Sequence, residues 1–215
     1  MVAAVVSVGC TSAPSASRAT TTTTTTTIPG STATGSRTPS ASLTVAPDRA
    51  QATYQRAAFG PAWADVDHNG CDTRNDVLNR DLTDKQWRDG THGCVVVAGT
   101  LADPYTGRTL TFVKARASEI QIDHVVSLGD AWRSGASQWS PPMREQFAND
   151  PLNLLAVDGP SNQSKGDDDA SQWLPPNVAF RCAFVERQVE VKTKYDLTVT
   201  AAERGAISAV LDTCG

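Results

Sequence analysis

The chain has 215 residues, 40% of them hydrophobic, with 19 basic against 23 acidic side chains and a formal net charge of −4. That balance excludes a globally basic surface of the kind that attracts nucleic acid along its whole length, while leaving room for a few local phosphate contacts. The apolar stretch that opens the chain is too short to span a bilayer.

That opening, "MVAAVVSVGC", resembles the end of a secretory signal. Ser7-Val8-Gly9-Cys10 also resembles a bacterial lipobox, in which Cys10 would be lipidated. Residues 1–10 are therefore read as a signal or lipobox-like segment, and the protein as extracellular or held at the cell surface by a lipid anchor. No Lys or Arg precedes the apolar run, so an apolar start on a cytosolic protein is the alternative. Residues 11–46 are rich in Thr, Ser, Pro and Gly, with almost nothing to bury, and read as a disordered linker. The folded domain is expected over 47–215, roughly 170 residues, enough for a single core.

Along that domain, "GCDTRNDVLNRDL" predicts a short helix from Arg74, with Val77, Leu78 and Leu82 at helical spacing. "CVVVAGTL" reads as a strand, "DPYTG" as a turn and "RTLTFV" as a returning strand, together a β-hairpin. "EIQIDHVV" is extended, and "SLGDAWRSGASQW" and "PPMREQFAND" are helical, the second with a proline start. "PLNLLAV" is a short apolar run, Gly159 and Pro160 turn the chain, and a helix then carries Asn162 and Lys165. In the last third, Asn177 is expected to cap a helix with the stripe Val178, Cys182, Val185, Val189. Thr200 and Glu203 form a capping box for a final helix with the stripe Ile207, Val210, Leu211, Cys214.

Apart from Cys10, four cysteines remain, Cys71, Cys94, Cys182 and Cys214, an even number that suits two disulfides in an exported domain and permits three connectivities. Cys182 and Cys214 each fall on the buried face of a helix, so packing those faces favours Cys182–Cys214 and leaves Cys71–Cys94. No C-x-x-C or C-x-x-H pair points to zinc.

Asp123-His124 closes the extended "IDHVV", followed in order by Asn153 and Asn162. This order suits phosphodiester hydrolysis. A neutral imidazole can take a proton from water, and a hard cation that keeps several waters needs only a carboxylate and an amide oxygen from the protein. Adjacent strand residues point to opposite sides, so Asp123 and His124 can serve different ends.

"IDHVV", "PLNLLAV" and "SNQSKGD" resemble the three parts of the HNH endonuclease motif of the ββα-metal (His-Me finger) superfamily. From "GCDTRNDVL" to the C-terminal helices, the chain resembles exported bacterial HNH proteins related to the C-terminal domain of GmrSD-type nucleases. The resemblance implies an α+β fold: a ββα-metal core with a β-hairpin and additional packed C-terminal helices, stapled by disulfides. It implies His124 as general base, Asn153 as the residue that pins the loop and orients the histidine strand, and Asp123 and Asn162 as ligands of one Mg²⁺ or Mn²⁺ ion. Lys165, and Arg74 from outside the motif, are candidates for gripping phosphate. The implied partner is DNA or RNA; low sequence specificity is expected because no recognition module such as a zinc finger or helix-turn-helix stands out, and a monomer is expected.

Two other readings compete. Asp65, Asp67, Asn69 and Gly70 match the opening of a calcium loop, so a structural Ca²⁺ competes with a polar turn stapled by Cys71. For the whole chain, the alternative is a non-catalytic surface lipoprotein that binds through the same scaffold.

Overall fold

The computed structural model describes residues 42–48 and 54–215. Cys10, the signal-like start and most of the expected linker lie outside the described residues. Among the described residues the fold is mixed α/β, with five strands in two antiparallel sheets, six α-helices and two disulfides.

The first sheet has the order β1 (Leu82–Trp87), β2 (Val96–Ala102), β3 (Thr109–Val113). The β2–β3 hairpin matches expectation, but β1 is an additional strand that takes Leu82 from the predicted helix. The helix itself, α1, spans Thr73–Asp81, with the Asp72 carboxylate accepting from Asn75 N–H. β1 and β2 approach closely because Gly99 has no side chain: a Cβ there would lie 3.1 Å from both Leu82 Cδ1 and the Thr83 carbonyl oxygen.

The second sheet pairs β4 (Ile120–His124) with β5 (Leu154–Asp158), Asp123 opposite Leu155 and His124 opposite Leu154. Between them come α2 (Leu128–Ser134) and α3 (Pro141–Ala148). Directly after β5 the chain enters α4 (Gly159–Lys165), capped by the Asp158 carboxylate on Ser161 N–H. The paired strands and α4 thus bring together β4, with Asp123 and His124, and the helix that carries Asn162. Gly159 permits the sharp entry, because a Cβ there would fall 2.3 Å from the Ser118 carbonyl oxygen.

Helices α5 (Arg181–Lys194) and α6 (Ala201–Leu211) close the fold. Phe184, Val185, Val189 and Ile207 enter a core with Tyr105, Val125, Leu155 and Val157. The Lys192 ammonium ties three helices together, 2.9 Å from Asp130 on α2 and 2.5 Å from Glu203 on α6. Thr200 caps α6 through Glu203 N–H, while the Glu203 carboxylate turns to Lys192. Cys71–Cys94 and Cys182–Cys214 are the observed disulfides.

Several local expectations need correction. Asn177 donates to the Pro104 carbonyl and makes no side-chain cap, and Val178 is 68% exposed. A 3-10 turn precedes α5, which puts Val178 out of phase with the buried stripe. The boundary drawn at 46/47 falls within a docked segment: Leu43 is buried in the core, and Thr44 and Ala46 exchange backbone hydrogen bonds with Val199.

Candidate active site

Asp123, His124 and Asn162 line one open cavity of about 280 Å³, together with Tyr54, Arg56, Ser127 and Asp167. The folding of β4 against β5 and α4 brings the first two onto the same site as the third.

His124 ends β4 and is buried. Its Nε2 lies 2.7 Å from the carbonyl oxygen of Ala148, the last residue of α3. A carbonyl only accepts, so Nε2 carries the proton and Nδ1 keeps a lone pair. The ring lies nearly parallel to Trp63, with centroids 6.2 Å apart. Burial lowers its pKa to about 3; the positive charges of Arg56 and Lys165 act in the same direction, and the bond to Ala148 acts against it. The imidazole is therefore neutral at ordinary pH, the form a general base needs.

The loop after His124 is fixed from the other strand. Asn153 is fully buried; its Oδ1 accepts from Val126 N–H at 2.8 Å, and its Nδ2 donates to the Val126 carbonyl at 3.1 Å. Its own carbonyl accepts from Val125 N–H. Ser127 then caps α2 through Asp130 N–H. Asn153 thus holds the backbone on which the imidazole is mounted and does not itself line the cavity.

Asp123 is held by two side chains that come from elsewhere in the fold. The Tyr105 hydroxyl, delivered by the β2–β3 turn, donates to Oδ2, and the Lys165 ammonium is 3.0 Å from Oδ1. Burial pushes the Asp123 carboxyl upward, and Lys165 and Tyr105 oppose that push. The contacts with the Lys165 ammonium and the Tyr105 hydroxyl favour the charged form of Asp123. Each of its oxygens retains acceptor capacity beyond these bonds.

Asn162 donates from Nδ2 to the Gln121 side-chain oxygen at 2.9 Å. Anchoring the nitrogen leaves Oδ1 as the end of the amide available to a cation. One carboxylate and one amide oxygen suit a hard divalent ion that retains most of its waters, and suit zinc poorly.

The two expected phosphate contacts are placed differently. Lys165 is 1% exposed and bonds both Asp123 and the His124 carbonyl, so its charge belongs to the floor of the site. Arg74 donates to the carbonyls of Ala117 and Ile120 and braces the entry to β4, away from the cavity lining.

Asp65, Asp67 and Asn69 do come together, as a turn built on its own hydrogen bonds. Asp65 accepts from Asn69 N–H and Gly70 N–H, Asp67 accepts from both nitrogens of Asn69, and Asn69 accepts from Cys71 N–H. Among the described residues no group of three or more His, Cys, Asp or Glu is placed to hold a metal. These bonds make the loop a polar turn, stapled by the Cys71–Cys94 disulfide.

Tyr105, Arg56, Tyr54 and Gln121 were not singled out from sequence. Ser127 carried a legible signal, a serine directly before an amphipathic helix. Tyr105 and Arg56 sit in a turn and a short apolar-polar segment with no spacing that marks chemistry.

A family model described as "GmrSD restriction endonucleases, C-terminal domain" matches residues 72–210. An uncharacterized secreted protein of the fungus Arthroderma benhamiae is 42% identical over 174 residues, which cover 80% of this chain and 81% of that protein. The fungal source gives no support to the expected bacterial branch. No solved structure matches the chain.

Proposed function

The chain belongs to the family of GmrSD restriction endonuclease C-terminal domains, and from that premise we propose that it is an exported, divalent-metal-dependent HNH-type endonuclease. Its substrate is DNA, with RNA as a second candidate, cut with low sequence specificity. The observation that carries this reading is His124: a buried neutral imidazole, with Nε2–H fixed on Ala148, sharing a cavity with Asp123 and Asn162.

In this mechanism His124 Nδ1 takes a proton from water as the water oxygen attacks phosphorus in line with the leaving 3′ oxygen. The P–O3′ bond breaks, the leaving oxygen takes a proton from solvent, and a 5′-phosphate end results. Asp123 and Asn162 Oδ1 would hold the cation, which neutralises charge that develops on the phosphate and the leaving oxygen. Lys165 opposes the upward push of burial on the Asp123 carboxyl and ties it to the His124 backbone. Asn153 keeps Val125 and Val126, and hence the imidazole, in place. Two disulfides and the relative described as secreted support export.

Incubating the oxidised protein with supercoiled plasmid or with RNA, in Mg²⁺, in Mn²⁺ and in chelator, tests the reading. Cleavage of either polymer in metal alone is expected. Absence of cleavage with both metals, in a folded sample, would leave the binding-module reading in its place.

A further inference from the structure

The cavity around His124 is short of positive charge. Its charged lining consists of Arg56, Asp123 and Asp167. The Lys165 ammonium is buried beneath it, engaged with Asp123 and His124. A phosphodiester that reaches His124 therefore meets two carboxylates and, among the described lining residues, one cation: the Arg56 guanidinium.

Arg56 is exposed, but its backbone is anchored. It opens the 3-10 helix Arg56–Phe59, whose last residue is 1% exposed. The Phe59 ring packs 6.2 Å from Trp132 on α2 and 6.1 Å from Phe147 on α3, measured between centroids. The Ala58 carbonyl accepts from Arg144 Nε at 2.8 Å. Gly60, at φ +79°, then turns the chain away, a conformation that a Cβ would oppose. Tyr54, on the other side, packs on Phe59 and Trp132. An exposed arginine on a pinned backbone, bordering the cavity of a general base, has the geometry of a clamp. A guanidinium presents its donors in a planar fork that matches two phosphate oxygens. The segment lies before residue 72, where the family match begins, so the family match does not cover it.

We propose that Arg56 is a substrate-binding residue whose guanidinium takes the nonbridging oxygens of the phosphodiester at the cavity mouth and holds the phosphorus against His124. The proposal rests on the nuclease reading above.

The test uses the full oxidised chain as wild type, Arg56→Ala, Arg56→Lys and Arg108→Ala, the last an exposed arginine outside the cavity lining. Anisotropy of a short fluorescein-labelled DNA duplex in chelator gives affinity and its salt dependence. Plasmid cleavage in Mg²⁺ or Mn²⁺ gives kcat and KM. The proposal expects Arg56→Ala to lower affinity about tenfold or more and to flatten the salt slope by about one phosphate contact. Arg56→Lys should fall between, and Arg108→Ala should match wild type, all at an unchanged Tm. An Arg56→Ala protein that binds and cuts as wild type does overturns the proposal while leaving the nuclease reading intact. A wild type that neither binds nor cuts overturns the nuclease reading, and this proposal with it.

Discussion

At Asp123 a carboxylate, a phenol and an ammonium meet almost without water. An ion pair of this kind contributes little by itself, because desolvation offsets most of the attraction. Removing one partner is different, since it strands a buried charge. Lys165→Met should therefore destabilise the protein by about 3–5 kcal/mol in urea unfolding; a loss near zero would mean that Asp123 is not the buried partner described. His124 makes a separate prediction. Its folded pKa, about 3, lies below the ordinary value of 6.5. Its stabilising effect is thus complete above pH 6.5 and is lost as pH falls towards 3, where folding must bury a charged ring or expel it. Glu203, which burial pushes up to about 7 from 4.5, acts in the opposite direction between those two values. The informative quantity is the difference in unfolding free energy between wild type and His124→Gln. It should shrink as pH falls below 6.5; a difference that stays constant to pH 4 would contradict a buried neutral imidazole. His124, Asp123, Asn153 and Asn162 were legible from sequence because they come in a fixed order within some forty positions, each in a short recognisable string. Lys165 was legible as a residue but not as a partner of Asp123, and Tyr105 was not legible at all, since their contacts with Asp123 span 42 and 18 positions.

The elements that make the site are β4, β5 and α4, and their junction is tight. Gly159 N–H donates to the Glu119 carbonyl at 2.9 Å, and a Cβ at Gly159 would meet the Ser118 carbonyl oxygen at 2.3 Å. Backbone cannot yield as the end of a side chain can. Gly159→Ala should cost about 1–3 kcal/mol and slow cleavage, because α4 and Asn162 must shift relative to β4; a variant as stable and active as wild type would contradict this tight junction. Strands β2 to β5 could be read from apolar or β-branched runs bounded by turn residues. β1 could not: its burial is confined to Leu82 with Lys85 half-covered, its register is irregular, and Asp84 has φ +49°. An exposed edge strand of polar residues has no alternation to detect. The two C-terminal cysteines were readable for the opposite reason, because helical phase placed both on buried faces.

Across the whole molecule, electrostatics and connectivity point the same way. With a formal charge of −4, the surface as a whole does not attract a polyanion, so any grip on nucleic acid is local and weakens steeply with salt. The parts that make the site come from distant stretches: residues 54–63 at its rim, the hairpin turn beneath Asp123, β4, the end of α3, and α4. Compositional reading set the start of the domain at residue 47. It misplaced Leu43 to Ala46 because a short segment docked against Val199 looks like the Thr- and Ser-rich chain before it. The central claim is that this assembly makes His124 a general base for phosphodiester hydrolysis. The measurement to make is nicking of supercoiled plasmid by wild type and His124→Ala, both oxidised and both shown to be folded, with Mg²⁺ or Mn²⁺ and with chelator. The account predicts that wild type nicks only in metal and that the variant is slower by about 10²–10⁴-fold. Equal rates for the two proteins, or nicking that persists in chelator, would contradict it.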